Sequence, residues 1–297
     1  MPKKLLIGTR PSPLAIIQTN EVVRLLKSVY VDLTFDIVEI NSVGDRNPDA
    51  SISSLGKGIF VKEIEQALID KRIDVAVHSL KDLPVEGSDL LTSLTVCPRE
   101  DSRDVFISKF KCDLSNIPAG SIIGTSSPRR KVQILAVRPD IVVSEMRGNV
   151  GTRLGKIGSS DYDGIVVAAA GINRLGYGDY IDQYLDPKTI VPEPGQGALA
   201  VQFRTENTYI QELCTQIEDS DTKIAITEER NFLKEVDGGC KVPIAAHVQV
   251  NGSTVVMNGM MVCSNGIDIV KESIEVTVDE SHGIGNTLAR SILSKIY

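Results

Sequence analysis

Apolar and polar positions along the first hundred residues alternate between two periods. Leu5, Leu6 and Ile7 form a short apolar run that ends in Gly8, Thr9 and Arg10, the pattern of a buried strand entering a loop. Ser12 followed by Pro13 reads as an N-cap with proline at the first helical position, and Leu14, Ile17, Val22, Leu25 and Leu26 continue as a helical stripe. Phe35, Ile37, Val38 and Ile40 predict a second strand, Phe60 to Lys71 an amphipathic helix, and Ile73 to Val77 a third strand. Such alternation predicts an α/β layer built on a mostly parallel sheet. Asn41 to Gly58 has too few apolar residues to pack and reads as a long loop of the kind that serves as a lid.

A second pattern starts near residue 121. Ile122, Ile123, Gly124 and Thr125 lead through Ser126, Ser127 and Pro128 into a helical stretch with Val132, Ile134, Leu135 and Val137. Both segments read strand, Gly-Thr, Ser-Pro, helix. So short a match is compatible with chance and with a duplicated lobe. In a duplicated lobe each helix would aim its N-terminal N–H groups at a site, a place that favours anions. Ile141 to Val143 and the apolar run Gly164 to Ala170 continue this lobe, and the prolines and glycines between Pro187 and Gly197 suit a hinge or crossover. After about residue 218 the pattern changes. A helix over Thr222 to Val236 precedes alternating strands at Ala245 to Val250, Thr254 to Val262 and Ile267 to Val278, then a last helix from about Gly285, together a small α+β domain with an antiparallel sheet.

A length of 297 residues allows two or three such domains. No apolar run approaches the ~20 residues that span a membrane. Met1 to Lys4 is followed by only three apolar residues, so no leader peptide is expected. Five cysteines, odd in number and without a CxxC pair, together with three histidines, argue against zinc and for reduced thiols in a cytoplasmic protein. The net charge of −7 argues against nucleic acid as a partner.

An acidic chain can still hold an anion where its arginines converge. Arg10 follows the first strand, Arg129 and Arg130 open a helix, and Arg147 and Arg153 flank a glycine-rich turn. Cations are disfavoured at a helix N-terminus, so Arg129 and Arg130 call for an anion, supplied either by a ligand or by a salt bridge within the protein. Strand ends and helix starts are where open α/β sheets bind ligands, and guanidinium groups suit carboxylates. Lys81 and Asp82 emerge from the strand before Pro84, where Asp82 is either a turn residue or an anion that stabilises a developing cation. His78 reads as a structural histidine or a base. Cys240, after Gly238 and Gly239 and before Lys241, is either an inert thiol or a reactive one, whereas Cys97, Cys112, Cys214 and Cys263 lack such a setting.

The segments IGTRPSPLA (Ile7 to Ala15), GKGIFVKE (Gly56 to Glu63), DVAVHSLKDLP (Asp74 to Pro84), GTSSPRR (Gly124 to Arg130), RGNVGTRL (Arg147 to Leu154), GQGALA (Gly195 to Ala200) and GGCKVPIA (Gly238 to Ala245) together resemble the porphobilinogen deaminase (hydroxymethylbilane synthase) family. They come in the family's order and cover nearly the whole chain. The resemblance implies two lobes like those of periplasmic binding proteins, 1–97 with 198–217 and 103–191, and a cofactor-bearing α+β domain over 220–297. It implies one covalent dipyrromethane per chain, joined by a thioether to Cys240. Four porphobilinogen molecules would be deaminated and added to its free end before hydrolysis releases hydroxymethylbilane. No metal is expected, and the family is generally monomeric.

The family's catalytic aspartate falls on Asp82, with the implied role of holding pyrrole nitrogens and stabilising the azafulvene cation. Its carboxylate-binding residues fall on Arg10, Ser12, Lys81, Thr125, Ser127, Arg129, Arg130, Arg147 and Arg153. Ser126, Gly148, Ala168, Arg174 and Gln196 complete the candidate set, and Lys57 and Phe60 stand at the far hinge of the implied lid. Pro128 and Gln202 depart from the family's usual leucine and acidic residue. An uncompensated cluster of five arginines would cost stability that acid-bearing rings would relieve. The main rival is a non-catalytic two-lobed module for a small anion, and a second is a transferase with Cys240 as nucleophile, for which no base is evident.

Overall fold

A computed structural model describes residues 4–42, 61–236, 243–263, 266 and 268–296. The chain divides into two compact units, Met1–Glu100 with Gly197–Lys223, and Asp101–Gln196 with Ile224–Tyr297.

The first unit is built on five strands, β1 (Lys4–Thr9), β2 (Thr34–Glu39), β3 (Val75–Ser79), β4 (Leu91–Val96) and β10 (Leu199–Arg204), in one sheet of order β2-β1-β3-β10-β4. β1 runs parallel to β2 and β3, and β10 runs antiparallel to β3 and β4. Helix α1 (Pro13–Val29) forms as its sequence dictates. The Ser12 hydroxyl accepts from Ala15 N at 3.3 Å, Pro13 occupies the first turn, and Gln18, Thr19, Val22, Val23 and Leu26 form its buried face. Val22 and Leu26 pack with Leu5, Ile7, Val75, Val77, Val201 and Phe203 in one core, which Ile210 and Leu213 of α6 (Thr208–Thr215) complete. On the other face of the sheet, α2 (Lys62–Ile69) contributes Ile64, Ala67 and Leu68 to a cluster with Ile73 and Ala76. Because β3 is covered on both faces, four consecutive residues, Val75, Ala76, Val77 and His78, are buried.

The second unit repeats this plan. Its strands β5 (Asp104–Ser108), β6 (Ile122–Gly124), β7 (Val142–Ser144), β8 (Gly164–Ala168) and β9 (Gln183–Tyr184) form a sheet of order β7-β6-β8-β5-β9. In each sheet the order is second strand, first, third, the antiparallel strand on which the chain enters that unit, and fourth. Helix α3 (Pro128–Val137) repeats the start of α1, with Pro128 in its first turn and the Ser127 hydroxyl accepting from Arg130 N at 3.4 Å. The short sequence match is therefore a structural repeat, and the two-lobed α/β plan is present. The expected single run Gly164 to Ala170 divides into β8 and the start of α5 (Ala169–Arg174), between which Ala168 is the last extended residue.

The C-terminal part of this unit is α+β. Strands β11 (Ile244–Asn251), β12 (Thr254–Val262) and β13 (Ile269–Thr277) form an antiparallel sheet. Phe232 and Val236 of α7 (Ser220–Val236) and Leu288 and Ile292 of α8 (Ile284–Ile296) pack with Met257 and Met261 of that sheet. Two adjacent buried carboxylates on α7 are met by backbone N–H groups. Glu228 accepts from Gly283 and Gly285 at the start of α8, and Glu229 from Gly195 at 2.7 Å and Val248 at 2.8 Å.

Candidate active site

In the first unit the candidate residues stand at the ends of β1 and β3. Arg10 follows β1 directly and is half-buried, and Ser12 is the cap of α1. The chain leaves β3 through a single 3-10 turn, Leu80–Asp82, so that half-buried Lys81 and Asp82 lie at the strand's C-terminal end. The turn is fixed by Leu80 N donating to Ala198 O at 3.0 Å and Leu83 N donating to Leu80 O at 3.0 Å. Below it, Ser79 and the buried Gln18 side chain exchange hydrogen bonds, which ties β3 to α1. His78 is 6% exposed and paired with Ala200 of β10. Burial, with the neighbouring Gln202 side chain opposing and the Arg10 charge adding, lowers its pKa to about 4. It is a neutral packing histidine.

In the second unit the candidates surround the repeat of that layout. Thr125 is buried behind the N-terminus of α3, with its N–H on Ser144 O at 2.9 Å, and the Ser126 hydroxyl donates to Met146 O. Arg129 and Arg130 are 4% and 6% exposed. The anion they call for is in the chain: Asp104, at the head of β5 and fully buried, lies 2.8 Å from Arg129 Nη1 and 2.8 Å from Arg130 Nη2. Burial acts to raise the Asp104 pKa, and the two guanidinium charges overcome it and hold the carboxyl well below the usual carboxylate range. Arg147 pairs with Glu145 at 2.5 Å. The expectation of an uncompensated cluster of five arginines therefore fails in part: Asp104 balances one of the two charges of Arg129 and Arg130, and Glu145 pairs with Arg147. Two like charges at one helix start could not be buried together without a counterion, and the fold provides one.

Arg153, on the short helix α4 (Val150–Gly155), donates from Nε to Gly148 O at 2.8 Å, and burial followed by the Arg130 charge lowers its pKa. Gly148 has φ +114°, and a Cβ there would stand 2.7 Å from the Thr152 side chain, so the turn between Arg147 and Arg153 requires glycine. Arg174 ends α5 and is half-buried, whereas Gln196 is fully buried beside Asp104. Lys57, Phe60 and Cys240, with all of the expected lid beyond Asn41 and Ser42, lie outside the described residues.

Donor groups for acidic ligands remain in the second unit. Arg129 Nε and Nη2 are buried and have no hydrogen-bond acceptor among the described residues. Buried cationic N–H groups without acceptors are what the carboxylates of an acid-bearing pyrrole would satisfy, so these residues fit such a group. Asp104 is the residue missed by sequence reasoning. Its signal was a lone charge opening the apolar strand Val105, Phe106 and Ile107, where only a buried partner makes a carboxylate tolerable. The four described cysteines are free thiols, and burial followed by the Glu218 charge pushes Cys214 up to about 12. Among the described residues no His, Cys, Asp and Glu group could hold a metal ion, and no helix is long and apolar enough to cross a membrane.

Comparison with known proteins adds family relationships. A family profile described as porphobilinogen deaminase, dipyrromethane cofactor binding domain, matches residues 5–212, and one described as porphobilinogen deaminase, C-terminal domain, matches residues 223–294. A porphobilinogen deaminase of Thermus thermophilus is 43% identical over 293 residues, covering 98% of this chain and 96% of that protein. Another, of Shouchella clausii, is 48% identical over 250 residues, covering 84% and 80%. Among solved structures, the methionine-binding protein MetQ is similar with a TM-score of 0.44 and 14% identity, covering 78% of this chain and 95% of that one.

Proposed function

The chain belongs to the porphobilinogen deaminase family, and on that premise we propose that it removes ammonia from successive porphobilinogen molecules and joins the rings head to tail on a dipyrromethane held by a thioether to Cys240. The dipyrromethane cofactor binding domain spans residues 5–212, and the chain is an enzyme of tetrapyrrole synthesis. Hydrolysis would release the product, hydroxymethylbilane. The bound dipyrromethane supplies a nucleophilic pyrrole carbon; Arg129, Arg153 and the Ser127 hydroxyl would take its acetate and propionate groups.

One observation carries the reading: a half-buried Lys81–Asp82 pair at the exit of a doubly covered strand, in a chain whose second unit keeps buried guanidinium N–H groups without acceptors among the described residues. Porphobilinogen loses ammonia to leave a cation spread over its ring. A carboxylate about 4 Å from that charge contributes about 4 kcal/mol at an effective dielectric near 20, and holding it in place beforehand makes the gain specific to the cationic state. In this scheme Asp82 accepts from the ring N–H and faces the cation, while Lys81 and Arg10 bind ring carboxylates and prevent the ring from turning. Arg147 and Arg153 bind carboxylates of the rings already added.

The test is turnover of porphobilinogen by the purified chain, followed as ammonia and tetrapyrrole, beside Asp82→Ala. Wild type should release both. The variant should keep the wild-type far-UV spectrum and lose at least ~100-fold in rate, the usual loss for a deleted electrostatic group. Near-normal turnover in the variant would remove Asp82 from the reaction, and absence of turnover in wild type would refute the function.

A further inference from the structure

The two buried arginines of α3 are not equivalent. Arg130 turns its Nε and Nη2 edge onto one oxygen of Asp104, at 3.1 and 2.8 Å. Arg129 gives only Nη1, to the other Asp104 oxygen at 2.8 Å and to Val191 O at 2.7 Å. Gln196 braces the arrangement: its Nε2 donates to Asp104 at 2.8 Å and to Ser102 O at 2.8 Å, and its Oε1 accepts from Arg130 Nη2 at 3.2 Å. Arg130 thus commits its carboxylate-gripping edge inside the protein, whereas the same edge of Arg129, Nε with Nη2, is buried and without an acceptor among the described residues. One carboxylate against two guanidinium groups also leaves one positive charge of the trio uncompensated.

We infer that Asp104, braced by Gln196, is a positioning residue: it fixes the rotation of Arg129 so that the Nε–Nη2 edge is presented to one ligand carboxylate, and it limits the pair's residual charge to what one carboxylate balances. A guanidinium free to rotate would offer that edge only part of the time. A pair without Asp104 would repel within itself and shift both side chains. The division of labour makes Arg129 the ligand-facing member and Arg130 the internal tie that orients the carboxylate. This inference rests on the function proposed above.

The experiment is a double-mutant cycle on the purified holoenzyme with Asp104→Asn, Arg129→Lys and the double variant. It reads KM and kcat for porphobilinogen, together with intact mass to give the fraction of chains carrying the dipyrromethane increment. Asp104→Asn keeps shape and removes the charge. It should raise KM or lower the loaded fraction about 10-fold, the equivalent of one charged hydrogen bond, with kcat of the loaded fraction changed less than ~3-fold. In the Arg129→Lys background the same substitution should add less than ~2-fold, because the edge it positions is gone. If Asp104→Asn does not fold, Gln196→Leu, which removes the brace and no charge, replaces it with the same expected coupling to Arg129. A folded variant with wild-type KM and loading, or effects that multiply in the double variant, would overturn the inference. A wild-type chain that neither loads nor turns over would instead refute the proposed function, a different result from either.

Discussion

The most direct energetic consequence of the first unit's layout concerns His78. The side chain sits on β3, four residues before Asp82, 6% exposed, and burial with the Arg10 charge lowers its pKa from 6.5 to about 4. In the unfolded chain it takes a proton as pH falls through about 6.5; in the folded chain it stays neutral until about 4. Between those values the unfolded state binds more protons, so this group removes stability as pH falls and has no such effect above about pH 7. The full shift corresponds to about 3 kcal/mol at 1.36 kcal/mol per unit, and about 2 kcal/mol of that is lost between pH 7 and pH 5. His78→Gln removes the titration and keeps a polar side chain of similar size. Urea unfolding of both proteins at pH 7 and pH 5 isolates the effect, since every other titrating group is common to both. The stability of wild type relative to the variant should fall by about 2 kcal/mol over that interval. Parallel pH dependences would show that His78 is not a desolvated neutral histidine.

Other outcomes follow from single contacts. Glu229→Ala leaves the buried N–H groups of Gly195 and Val248 without their acceptor; at roughly 1–3 kcal/mol for each, chemical denaturation should show a loss of about 2–6 kcal/mol. Gly197 has φ +89°, and a Cβ there would stand 2.3 Å from Glu100 O. Gly197→Ala should therefore destabilise by more than about 2 kcal/mol, read as a lower melting temperature, and an unchanged melt would mean the backbone yields freely there.

Local chemistry was legible in the sequence and long-range pairing was not. Ser12 with Pro13 and Ser127 with Pro128 announce α1 and α3 because a cap is settled within four residues of chain. The strands β5 and β10, absent from the sequence reading, owe their place to partners far away, with Asp104 opposite Ala168 and Leu199 opposite Ser79. Nothing within either segment marks it as the antiparallel strand inserted into an otherwise parallel sheet. Apolar content places the third strand over Ile73 to Val77, and it runs instead over Val75–Ser79, because the polar residues His78 and Ser79 pair with Ala200 and Leu199 of β10, partners more than 100 residues away that the segment itself does not announce. The arginines show the same division. Their place at a helix start correctly demanded an anion, but that this anion is Asp104, 25 residues earlier than Arg129, is a property of the folded sheet. Gly148 was identified as a site residue through the family resemblance; the fold supplies the reason, a backbone that only glycine adopts without strain.

All of the proposed chemistry starts from a two-pyrrole primer that the chain carries on one sulfur, and intact-protein mass spectrometry reads that primer without any assay of turnover. Purified protein should exceed the mass of its sequence by one dipyrromethane, and Cys240→Ser should remove the increment while Cys97→Ser and Cys263→Ser retain it. A wild-type mass equal to that of the bare chain after incubation with porphobilinogen, or an increment that survives in Cys240→Ser, would refute the tether and the elongation built on it.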